Sequence, residues 1–127
     1  MGLTAEQIMQ AKDTVVVERY IEEWGGNVFI RNLTADEWEK VQDTVFDKNG
    51  SAKGPSFKAV VALHALCNKD GERLFADEQY SILAAKGNKP LAFIANVAQG
   101  LTGLTNAELE ERKKKSETIP ENSSDSV

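Results

Sequence analysis

The sequence predicts an α+β fold, in which an N-terminal β-hairpin packs on a small bundle of four to five short helices. Three observations carry that reading. Two β-branched and aromatic runs, Thr14–Ile21 and Asn27–Leu33, flank a Gly25-Gly26 turn. One helix-start pattern occurs three times, at Thr4, Thr34 and Thr105. The remaining segments place apolar residues at helical spacing.

The three helix starts share a physical logic. Each Thr hydroxyl is placed to accept an orphan first-turn amide, and Gln7, Glu37 or Glu108, three residues on, reaches back to the cap amide. Leu3, Leu33 and Leu104 precede the caps and are spaced to staple against Ile8, Trp38 and Leu109. A capping hydroxyl contributes roughly 1 kcal/mol, which matters for helices this short. The segments after the caps do not resemble one another, so the repetition reads as convergent capping and not as duplication.

The hairpin lies between the first two caps. Trp24-Gly25-Gly26-Asn27 is expected to supply the positive φ angles of a tight reversal, and the second strand runs directly into the Thr34 cap. Neither strand alternates cleanly between apolar and polar residues, so the pattern assigns no buried face. Two strands are marginal alone. The pair must pack on helices or extend a sheet from another subunit.

The remainder reads as helical. Trp38, Val41, Val45 and Phe46 share a face of a helix over Ala35–Asp47, and Lys48–Pro55 has loop composition. Phe57, Val60, Val61, His64 and Cys67 form the stripe of a central core helix, in which Leu63 and Leu66 are also expected to be core. Asp70-Gly71 predicts a turn, Arg73–Phe75 an extended segment, and Asp77 the cap of a short helix through Ala85. Pro90 opens the next helix, with Leu91, Ile94, Val97 and Leu101 on one side, and Gly100 and Gly103 bracket a bend. The last helix runs from Asn106 through Lys115. Residues 1–112 are thus expected to form a single domain, and 113–127 a basic helix end and a disordered polar tail.

Composition narrows the function classes. At 127 residues, a single domain with one modest core is the default. The net charge of −5 repels phosphate backbones, which argues against nucleic acid as a partner. No apolar run approaches the ~20 residues that span a bilayer, and the N-terminus lacks the features of a signal peptide. Gly2 follows Met1, but Glu6 stands where a myristoylation motif wants Ser or Thr. The single Cys67 cannot form an intramolecular disulfide and fits a reducing compartment. The expectation is a soluble cytoplasmic protein, with no membrane partner.

No catalytic, cofactor-binding or metal-binding residue emerges. His64 is the one histidine, and with Cys67 it lacks the further ligands of a zinc site. A buried structural histidine and an inert core thiol outweigh a nucleophilic pair. Asp47-Lys48-Asn49-Gly50-Ser51 has its glycine misplaced for a calcium loop, and Lys58 stands where the bidentate Glu should be. The spacings Gly50/Gly54 and Gly100/Gly103 lack the context of a phosphate loop and read as turns. Glu22-Glu23 and Glu110-Glu111 read as solvated faces, and Lys113-Lys114-Lys115 as a helix end favoured by the macrodipole.

The order of these elements carries more than their chemistry. Leu3-Thr4-Ala5-Glu6-Gln7-Ile8 is followed by a Val-rich strand and by Glu23-Trp24-Gly25-Gly26-Asn27-Val28-Phe29-Ile30-Arg31-Asn32-Leu33-Thr34. Later come Asp70-Gly71-Glu72-Arg73-Leu74-Phe75 and Leu101-Thr102-Gly103-Leu104-Thr105, closing with Glu108-Leu109-Glu110. In this order, the chain up to about Arg112 resembles the tail assembly chaperones of long, non-contractile-tailed (siphovirus-type) bacteriophages. It departs from their pattern at Cys67 and Asn68, and at Ala76, which replaces a capping Ser or Thr.

The resemblance implies a non-enzymatic protein without cofactors. Its expected partners are the phage tape-measure protein and the tail-tube protein, with homo-oligomerisation left open and the contact residues unassigned. It also implies a host-cytoplasmic location and absence from the mature virion. Such chaperones are commonly made in a short and a frameshifted long form, and an adenine run encoding Lys113–Lys115 would suit the slip. This chain would then be the short form. Two other classes compete: a structural minor tail protein retained in the virion, and a small phage-encoded regulatory adaptor.

Overall fold

All three capping boxes form in the computed structural model, which describes residues 2–118. Thr4 accepts from the Gln7 amide at 3.1 Å, Thr34 from Glu37 at 3.2 Å and Thr105 from Glu108 at 3.0 Å. Each partner side chain returns a bond to the cap amide, at 2.9 Å in every case. The boxes open α1 (Ala5–Gln10), α2 (Ala35–Val45) and α6 (Asn106–Thr118). The expected staples differ in outcome. Leu33 is buried and Trp38 packs on the core, whereas Leu3, Ile8, Leu104 and Leu109 are exposed.

The hairpin pairs β1 (Val16–Ile21) with β2 (Gly26–Arg31) in antiparallel register, from Val16 opposite Arg31 to Ile21 opposite Gly26. The reversal is built differently from the expected Gly-Gly turn. A 3-10 turn over Glu22–Trp24 bends the chain first, and only Gly25 then adopts a left-handed conformation, at φ +67°. Gly26 already belongs to β2. Asn32 extends the pairing with its side chain, which accepts from the Val15 amide at 2.9 Å and donates to the Asp13 carbonyl at 3.1 Å.

A third strand completes the sheet. β3 (Leu66–Cys67) pairs antiparallel with β2, giving the order β1-β2-β3. This corrects the reading of Cys67 as part of a helical stripe: α3 (Phe57–Ala65) ends at Ala65, and Leu66 is extended. Both conformations bury apolar residues at this point, so hydrophobic periodicity does not distinguish them. The chain then reverses at the expected Asp70-Gly71 turn. There the Asn68 side chain accepts from the Asp70 and Glu72 amides, and Gly71 takes φ +86°.

α3 is the central helix, as its sequence predicts, with Ala59 through Ala65 all buried. It packs against α2, α4 (Tyr80–Ala84) and α5 (Asn88–Thr102), and α5 also lies on β2. Val60, Val61, Leu63, Leu66, Val41 and Val45 are buried, with Phe57 and Trp38 partly buried at the margin. Trp38 meets Phe57 edge-on, their ring centroids 6.1 Å apart. Alanines on both helices, Ala59 and Ala62 of α3 with Ala95 and Ala98 of α5, belong to this core.

Three boundaries differ from expectation. Asp77 does not cap its helix: Ala76 holds the cap position, and its amide bonds the Gln79 side chain at 2.7 Å. A methyl group cannot accept the reciprocal bond, and the first turn, Asp77–Gln79, is a 3-10 turn. Gly100 stays inside α5, so the bend falls at Gly103 alone, whose amide caps onto Gln99 at 2.9 Å. α6 continues past Ser116 to Thr118, and the expected tail over 119–127 lies outside the described residues. Neither α1 nor α6 buries a residue among those assigned, so the hairpin packs on a bundle of α2 to α5.

Candidate functional site

A groove of about 450 Å³ opens between α2 and α4, floored by α3. Val60 and Leu63 form its base, Lys40 and Thr44 one wall, and Asp77 and Tyr80 the other. The sequence places these residues by local means. Lys40 and Thr44 are one turn apart on α2. Ser56 caps α3 through its hydroxyl, and its own amide donates to the Tyr80 hydroxyl oxygen at 2.8 Å. That last bond ties the α3 start to α4 and fixes the Tyr80 ring across the groove.

His64 lies beneath this groove and is only 4% exposed. Its Nδ1 donates to the Val60 carbonyl at 3.0 Å, within its own helix. Nε2 has no hydrogen-bond partner, and Asp77 Oδ1 stands 3.8 Å away, too far for a hydrogen bond. Asp77 is instead claimed by Arg73, whose Nη2 donates to Oδ1 at 2.9 Å and to the Leu63 carbonyl at 3.2 Å. The Arg73 hydrogen bond and charge, helped by His64 and Lys40, outweigh a small burial cost and hold the Asp77 carboxyl below its ordinary range.

The other residues weighed for chemistry are dispersed. Cys67 sits on β3 opposite Phe29, in a different element from His64, and burial pushes its thiol up despite the Arg31 charge. Asp47 folds its own loop, accepting from the Asn49 and Ser51 amides at 2.9 Å each, with Gly50 left-handed at φ +83°. Gly54, at φ +127°, serves the same connection. Glu22 and Glu23 belong to the hairpin turn, while Glu110, Glu111 and Lys113–Lys115 are exposed on α6. Among the described residues, no three His, Cys, Asp or Glu side chains are grouped to hold a metal ion. No described helix is long and apolar enough to cross a membrane.

One charged pair is built more tightly. Arg31, 7% exposed at the end of β2, grips Glu37 with two bonds of 3.1 and 2.6 Å. Glu37 also closes the Thr34 capping box. Burial raises the Glu37 carboxyl, but hydrogen bonds from Arg31 and the Thr34 amide, with the Arg31 and His64 charges, bring it below its ordinary value. The pair locks the hairpin to α2. Neither it nor the groove is visible in the sequence pattern. Arg31 and Glu37 each belong to a recognisable motif, but five residues of changing conformation separate them.

No family model matches the sequence, and no curated protein does either. Among solved structures, the chain is similar to that of the bacteriophage HK97 tail assembly chaperone, at a TM-score of 0.60 and 18% sequence identity. The match covers 80% of this chain and 95% of that one. The hairpin, the capped α2 and the central helix thus belong to an α+β fold that this protein shares with the HK97 tail assembly chaperone.

Proposed function

We propose that this protein is a bacteriophage tail assembly chaperone, which binds the tape-measure protein in the host cytoplasm and helps recruit tail-tube subunits. The observation that carries the reading is the fold shared with the HK97 chaperone over 80% of the chain. It is joined by a motif order met independently in the sequence, whose members all act as structural punctuation. Gly25 closes the hairpin, Thr34 caps α2 and Gly71 turns the chain after β3. The physical task suits the molecule. A long helical tape measure exposes apolar surface before the tube encloses it, and a small acidic partner can cover that surface and keep the complex soluble.

Co-expression with the tape-measure protein of the same phage tests the reading. The tape measure should be insoluble alone, and should become soluble and co-purify with this chain. A tape measure that precipitates equally with and without the chain contradicts it.

A further inference from the structure

Three aromatic side chains stay exposed among the described residues, and they gather where the hairpin turn meets the start of α5. Tyr20 is 61% exposed, Phe93 43% and Trp24 36%. Tyr20 and Phe93 line one cleft of about 250 Å³. Glu22 and Glu23, which share the 3-10 turn with Trp24, line it as well, and Lys89 stands on the α5 side. None of the ion pairs among the described residues engages Glu22, Glu23 or Lys89. Exposed aromatic rings that gather in this way mark contact surfaces, where Tyr, Trp and Phe are enriched.

We infer that this cleft docks a basic segment of the tape-measure protein, with a lysine or arginine of that segment held against the Tyr20 and Phe93 rings and beside Glu22 and Glu23. The inference rests on the function proposed above and adds the site and the chemistry of the partner segment. An aromatic ring attracts a cation over its face, and a guanidinium can also stack on it. Two carboxylates against one ammonium leave the cleft with an excess of negative charge, and the chain's net charge of −5 has the same sign. The field that draws a basic segment in and the groups that hold it therefore agree. An acidic segment would face both carboxylates and the overall field, with Lys89 alone in its favour. A purely aliphatic segment would cover the rings but bring the carboxylates no counter-charge.

The other surfaces carry less. In the groove over His64, Val60 and Leu63 are core, and Lys40 already acts on Asp77. The hollow beside Leu33 and Trp38 has no charged wall. β1 is an edge strand, but Arg19 donates to the Glu18 carbonyl at 2.8 Å and sets a charge on that edge, which guards it against a further strand.

The test uses the co-expressed complex of full chains. Competition between a variant and labelled wild-type chain for the co-purified tape measure gives their relative affinity. The double variant Glu22→Lys with Glu23→Lys should bind roughly tenfold more weakly or worse, and so should Tyr20→Ala. Tyr20→Phe, which keeps the ring, should restore what Tyr20→Ala loses. Glu39→Lys with Asp43→Lys makes the same change in net charge at exposed positions of α2 outside the cleft, and should compete like wild type. If the complex forms but either cleft variant competes like wild type, the docking site is wrong while the chaperone function stands. An equal loss in the α2 variant would assign the effect to net charge and also overturn the site. A chain that self-associates alone, through a contact that Tyr20→Ala removes, would give the cleft to a second copy instead. If wild type forms no complex, the function fails and the docking site falls with it.

Discussion

Arg31 and Glu37 show how much a single pair contributes to joining the hairpin and the helices. Both of Arg31's bonds to Glu37 form where its guanidinium is nearly out of water, so removing the carboxylate strands a buried charge. Glu37→Gln should cost about 3 kcal/mol in denaturant unfolding at neutral pH, the lower end of the range for breaking a buried pair, because Glu37 keeps some solvent contact. The pH dependence has a defined sign. The folded Glu37 carboxyl lies below its ordinary value of 4.5, so its stabilisation is fully present above that pH. It is lost as the pH falls through the lower folded value, and the gap between wild type and Glu37→Gln should close with it. A gap that widens on acidification would refute the assignment. Leu63 tests the core in the same way. It is 3% exposed, and Leu63→Ala should cost about 2–5 kcal/mol, whereas a loss below about 0.5 kcal/mol would show that α3 is not central.

Among the elements, the caps separate local from global stability. Thr34→Ala removes the cap of a helix that buries Val41 and Val45 and should lower global stability by about 1 kcal/mol. Thr4→Ala removes an equivalent bond from α1, which buries nothing. It should fray α1, seen as faster amide exchange at Gln7 and Ile8, and leave the unfolding midpoint unchanged. Equal shifts for the two variants would mean that α1 docks on the body. The caps, the hairpin and the central helix were legible because each is specified by neighbours a few residues away. β3 was not, because two residues at the end of a buried helix carry the same apolar pattern as another helical turn. Gly100 was misread as a breaker because a glycine within a helix costs only about 1 kcal/mol, which the buried Ile94, Ala95 and Ala98 of α5 offset. The groove was illegible for a different reason. Lys40, the α3 pair Val60 and Leu63, Asp77 and Tyr80 come from four separate elements, and only the packing of those elements brings them together.

For the whole molecule, the architecture is that of a small α+β body followed by a charged, exposed helix. α2 to α5 and the sheet hold the core, while α6 leaves at Gly103 carrying Glu108, Glu110 and Glu111 near its start and Arg112 to Lys115 further along. The fold is shared with the bacteriophage HK97 tail assembly chaperone. The central claim is that the chain works on the tail during construction and then leaves it, which separates a chaperone from a structural tail protein. Quantitative mass spectrometry of infected-cell lysate and of purified tailed particles measures that fate directly. The account predicts abundant chain in the lysate, associated with the tape measure, and none in the particles. An intact chain in the particles, at a fixed ratio to the tail proteins, would contradict it.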